Sequence, residues 1–92
     1  MAKVRAHLYI SGRVQGVFFR DHTRRMALSL GIKGFVRNLW DGRVEIVVEG
    51  EEESVKELIN WCHKGPPLAK VEKVEIEYEP YFGEFDGFKI TY

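Results

Sequence analysis

The chain has 92 residues, room for one small domain and too few for two ordinary ones. Its 45% hydrophobic and 30% charged residues are those of a soluble globular protein, and no apolar run nears the roughly 18 residues of a membrane span. The formal net charge is zero, which argues against a dedicated nucleic-acid binder.

That zero hides an asymmetry. Residues 1–43 carry nine basic side chains against two acids, and residues 44–92 carry five lysines against twelve acids. The positive half points to an anionic ligand near the N-terminal elements, or simply to a dipole across a solvated surface. The start, MAKVRAHLYI, has no apolar core and no small-residue cleavage site, so no signal peptide is expected. The one cysteine, Cys62, has no internal disulfide partner, and a cytoplasmic location is the expectation.

Val4, Ala6, Leu8 and Ile10 alternate with polar or aromatic neighbours, the period of a half-buried strand. Gly12 to Phe19 breaks that period and is predicted to be a loop. Phe19, Thr23, Met26 and Leu30 then recur at helical spacing, and Gly31 supplies a helix stop. Two extended runs follow, GFVRNL and RVEIVVEG, joined through Asp41-Gly42. That pair predicts a tight hairpin in which both turn residues adopt positive φ. A second helix is predicted from about Glu52 to His63, with Val55, Leu58, Ile59 and Cys62 inward, ended by Gly65-Pro66-Pro67. Val74, Ile76 and Tyr78 alternate with glutamates in a further strand, and Phe88, Ile90 and Tyr92 make a short last one.

This order is an α+β, ferredoxin-like split β-α-β pattern with an added terminal strand: two helices on one face of a largely antiparallel sheet, as a single domain over residues 1–92. In it the first two strands run parallel with the third between them. The loop after the first strand and the end of the second therefore share one edge, and Asn38 is expected to approach the loop.

The loop stretch GRVQGVFFR, residues 12–20, holds no nucleophile and no metal ligand. Its glycines let backbone N–H groups converge, a helix start adds more, and the Arg20 guanidinium donates in pairs to phosphate or carboxylate. From spacing alone, a phosphate cradle and a tight strand-to-helix turn both remain open. There is no Gly-Lys-Ser/Thr ending of a nucleotide P-loop and no G-x-G-x-x-G.

The sequence strongly resembles the acylphosphatase family. The resemblance is carried by Ile10 to Arg20 (IxGRVQGVFFR), by Gly34 to Gly50 (GFVRNLWDGRVEIVVEG) and, more weakly, by Lys64 to Val74 (KGPPLAKVEKV). It implies hydrolysis of a carboxyl-phosphate anhydride to a carboxylate and inorganic phosphate, with no metal and no cofactor. It also implies that Arg20 and Asn38 are catalytic. The phosphoryl oxygens would be held by N–H groups from Gln15, Gly16, Val17, Phe18 and Phe19, together with Arg20. Asn38 would orient the attacking water. The leaving carboxylate is the base of an acid of pKa about 4, so no general acid is required. The implied partner is a small-molecule acyl phosphate, with no nucleic acid and no membrane. A monomer is the expected state, and nothing in the sequence specifies an acyl pocket.

His7, His22 and His63 lack metal-ligand spacing, and His22 is expected to point away from Arg20. Cys62 is expected in the core. Phe18 and Phe19 are both expected to be packing residues. The rival reading is an RNA-binding or small-ligand regulatory module on the same fold. Its support is Lys33 to Val36, four residues similar to an RNA-binding strand motif but lying on strand two.

Overall fold

A computed structural model describes residues 2–92. The chain forms strand β1 (Lys3–Arg13), helix α1 (Phe19–Leu30), strands β2 (Lys33–Asn38) and β3 (Val44–Glu51), helix α2 (Glu52–Lys64), and strands β4 (Lys70–Glu79) and β5 (Phe88–Ile90). The strands make one five-stranded sheet in the order β4-β1-β3-β2-β5. β1 pairs antiparallel with both β3 and β4, β2 pairs antiparallel with β3, and β5 joins β2 in parallel. β1 and β2 thus point the same way, separated by β3, as the split β-α-β pattern requires.

The core lies between one sheet face and the two helices. Ala6, Leu8 and Ile10 of β1 and Val44, Ile46 and Val48 of β3 are buried, and their period of two faces them all inward. Phe19, Thr23 and Ala27 of α1 and Val55, Leu58, Ile59 and Cys62 of α2 close over them. Met26 and Leu30, expected in the α1 stripe, pack at its margin instead, and Ala27 takes the central place. β4 is an edge strand that the helices cover only in part, so Ile76 and Tyr78 stay exposed despite their alternation.

Two further expectations are corrected. The loop does not begin at Gly12. β1 runs through Arg13 with an irregularity between Ser11 and Gly12, where it pairs with the start of β4. A Cβ at position 12 would sit 2.3 Å from the Lys70 carbonyl oxygen, so this glycine permits a close strand approach and is not part of an anion nest. The hairpin turn also differs. Gly42 has φ 94° but Asp41 is not in the positive region. The Gly42 N–H donates to the Leu39 carbonyl at 3.2 Å and the Leu39 N–H to the Arg43 carbonyl at 2.8 Å. This is a three-residue loop, one turn followed by a left-handed glycine, and it spares Asp41 the strain of a two-residue turn.

Candidate active site

The connection from β1 to α1 is pinned from below. Val14, Val17 and Phe19 are buried in the core, which leaves Gly16 and Phe18 facing outward. Phe18 is therefore exposed, not packed as expected. Gly16 has φ 73° and Phe18 φ 66°, while Val17 between them lies outside the positive region. Such alternation turns successive N–H groups toward a common centre. α1 begins at Phe19, so its first N–H groups have no acceptor within the helix. The helix ladder starts with the His22 N–H donating to the Phe18 carbonyl at 3.1 Å. Among the described residues, the N–H groups of Gln15 to Asp21 donate to no carbonyl in the surrounding turns and caps.

A left-handed conformation at a bulky residue such as Phe18 costs about 1–3 kcal/mol and persists only where the surroundings enforce it. Here the Phe18 carbonyl accepts twice from His22, from its backbone N–H and from Nδ1–H at 2.9 Å. His22 does not point away from the site without consequence: it holds the loop's last peptide.

Arg20 lies in the first turn of α1 and makes no salt bridge among the described residues. Its guanidinium lies over the Tyr92 ring, 5.5 Å from the centroid. Asn38 ends β2, and its Oδ1 is buried without a hydrogen-bond partner. Leaving such an acceptor unpaired costs about 1–3 kcal/mol. Gly16, Phe18, Arg20, Asn38 and Tyr92 line one cavity of about 250 Å³. A wider space of about 410 Å³ shares Arg20, Asn38 and Tyr92 and extends past Leu39 to Trp40.

Gln15 ties the two halves of this arrangement together. Its side-chain amide donates to the carbonyls of Leu39 at 2.8 Å and Arg43 at 2.9 Å, the neck of the β2–β3 hairpin just beyond Asn38. The sequence stretch marked Gln15 only through its N–H group; the clamp made by its side chain depends on a contact 24 residues away. Tyr92 was similarly hidden, because its approach to Arg20 depends on β5 joining β2.

No group of three or more His, Cys, Asp or Glu among the described residues is arranged to hold a metal ion. His63 contacts the Ile59 carbonyl and His7 lies between Glu45 and Glu79. Cys62 is fully buried, and burial pushes its thiol pKa far up, which makes it inert as a nucleophile.

Comparison with known proteins places the chain as a whole. The Acylphosphatase family model matches residues 6–90. The chain belongs to the acylphosphatase family. It is 52% identical over its full length to all of an acylphosphatase of Pelotomaculum thermopropionicum. Over 94% of its length it is 60% identical to 78% of an acylphosphatase of Rubrobacter xylanophilus. Among solved structures it superposes on an acylphosphatase from Coxiella burnetii with TM-score 0.92 and 38% identity, over 97% of this chain and 93% of the other. At these identities over nearly the whole chain, the protein is an acylphosphatase enzyme, a hydrolase of small-molecule acyl phosphates.

Proposed function

We propose that this acylphosphatase acts without a metal, by direct in-line attack of water on a phosphoryl group. The N–H groups of Gln15, Gly16, Val17, Phe18 and Phe19, with the Arg20 guanidinium, hold the phosphoryl oxygens, and Asn38 orients the water. The observation that carries this reading is the unpartnered, buried Asn38 Oδ1 beside the cavity it shares with Gly16 and Arg20. A buried amide oxygen without a partner is poised to accept from a water that arrives with substrate.

Donors preorganised around one point stabilise the charge that shifts onto the equatorial oxygens in the transition state, the dominant contribution in phosphoryl transfer. The leaving carboxylate departs without protonation, because its conjugate acid has a pKa of about 4. Asn38 neither gains nor loses a proton, so the proton of the attacking water passes to a phosphoryl oxygen. The atoms balance as water plus acyl phosphate giving carboxylate and inorganic phosphate, with no phosphoenzyme.

The rest of the reading is a single-domain cytoplasmic monomer with neither nucleic-acid nor membrane partner. One continuous core and one sheet support a single domain. Phe35, the aromatic of the RNA-like stretch, is half-buried and packs edge-on against Phe85 at 6.1 Å, so part of its ring is already engaged within the protein. Among the described residues, no helix is long and apolar enough to cross a membrane.

The test is hydrolysis of benzoyl phosphate in excess chelator. Full wild-type turnover is expected, with Asn38→Ala slower by about a hundred- to a thousandfold at nearly constant inhibition by inorganic phosphate. Activity lost to the chelator and restored by a divalent ion would overturn the metal-free reading. A matching loss of phosphate inhibition in the variant would reassign Asn38 to binding.

A further inference from the structure

We propose that the acyl group of the substrate lies against an aromatic platform formed by Tyr92 and Trp40, and that the enzyme therefore favours uncharged aromatic acyl phosphates. This rests on the phosphoryl placement argued above. The acyl carbon is one bridging oxygen away from phosphorus. Once the phosphoryl group meets Arg20 and the loop N–H groups, the acyl group must occupy space continuous with Arg20 and Asn38.

Such a space exists. The opening of about 410 Å³ starts at Arg20 and Asn38 and is walled further out by Leu39, Trp40 and Tyr92. Trp40 is 104% exposed and Tyr92 95% exposed, so both side chains stand largely in water at the mouth. Among the described residues, neither ring makes an aromatic pair with another side chain. The turn that carries Trp40 depends on Gly42 and makes no demand for an indole at position 40. The Tyr92 ring lies beside the chemistry, over the Arg20 guanidinium at 5.5 Å. A flat acyl group leaving the phosphoryl site meets these rings first.

Charge narrows the class. Arg20 is the one charged side chain along the wider opening, and the phosphoryl group engages it. The smaller cavity adds Asp21, an acid. A carboxylate on the acyl group would find no cation of its own along the wider opening, while Asp21 lies next door in the smaller cavity. Contact between two aromatic groups adds about a threefold to tenfold preference in binding.

The experiment compares KM and kcat for benzoyl, acetyl and succinyl phosphate in the wild type and in Trp40→Ala, Tyr92→Ala and Tyr92→Phe. KM in the wild type is expected to be lowest for benzoyl phosphate and highest for succinyl phosphate. Trp40→Ala and Tyr92→Ala are each expected to raise KM for benzoyl phosphate about threefold to tenfold more than for acetyl phosphate, and Tyr92→Phe to keep the preference. Trp40 is fully exposed, so its removal leaves the fold intact. Equal factors for benzoyl and acetyl phosphate would mean that the rings act through Arg20 or not at all, and would overturn the subsite alone. No turnover of any substrate by the wild type would overturn the phosphoryl placement with it.

Discussion

Arg20 keeps its donors free because the fold gives them nothing else to do. Among the described residues it has no carboxylate partner, and its guanidinium lies 5.5 Å over the Tyr92 ring. Lysine at this position would retain the positive charge but not the planar fork that grips two phosphoryl oxygens at once. Arg20→Lys is therefore expected to lower kcat/KM for benzoyl phosphate by about a hundred- to a thousandfold. Its melting temperature should stay near that of the wild type, since no intramolecular ion pair is lost. Calorimetry beside the kinetic assay separates the two, and a variant as active as the wild type would remove Arg20 from the site. Phe18 shows what a single residue conceals from sequence reading. Glycine announces a left-handed conformation, but phenylalanine disfavours it, and only the folded backbone, with φ 66° at position 18 and its carbonyl accepting twice from His22, shows that Phe18 adopts one.

Elements fix the distance between the loop and Asn38, and the Gln15 amide is the brace between them. Gln15→Ala would leave the Leu39 and Arg43 carbonyls without that donor, at a cost of about 1–3 kcal/mol. The expected signature is a fall in kcat of roughly tenfold with a smaller change in phosphate inhibition, since a water-orienting group has been loosened while the N–H cradle remains. Equal effects on both would show the loop itself collapsing. At this scale the sequence was readable wherever one period governs a segment. The α2 stripe, the Phe19 and Thr23 half of the α1 stripe and the inward faces of β1 and β3 follow from spacing, because burial on one side selects that spacing. It was unreadable where a long-range contact interrupts the period. The irregularity at Ser11–Gly12 made the end of β1 look like loop, and the cause lies in β4, about sixty residues later. The hairpin misled for a different reason. Asp-Gly fits a two-residue turn, but the Leu39 and Arg43 pairing selects three.

For the whole molecule, the charge asymmetry of the sequence acquires a structural meaning beyond an anion site. The strand order interleaves the basic N-terminal strands with the acidic later ones. On the sheet face away from the helices, Arg5 thus meets Glu49, Glu79 and Glu84, Arg37 meets Glu45, and His7 lies between Glu45 and Glu79. Glu49 is the centre of this face. Its carboxylate accepts N–H groups from Phe82 at 2.8 Å, Gly83 at 3.2 Å and Glu84 at 3.1 Å, and so fastens residues 80–87 across the sheet. Burial pushes the Glu49 pKa up, but those N–H groups and Arg5 outweigh it and hold the carboxyl below its ordinary range. Glu45 and Glu79 are lowered as well: burial opposes the shift at Glu45 and is overcome by Arg37 and His7, whereas Arg5 and His7 dominate at Glu79. A carboxyl lowered on folding stabilises fully above its unfolded pKa of about 4.3, and that stabilisation drains away as pH falls through the lower folded value. Glu49→Gln keeps the shape and removes the charge. At pH 7 it is expected to cost roughly 1.5–3 kcal/mol, a fall of about 10 °C in Tm for a domain of this size. In the wild type that contribution begins to fade as pH falls below about 4 and is lost only below the depressed folded pKa, so the Tm gap between the two proteins should narrow steadily toward pH 2. A gap that stayed constant with pH would mean that the strap is held by hydrogen-bond geometry and not by the charge of Glu49.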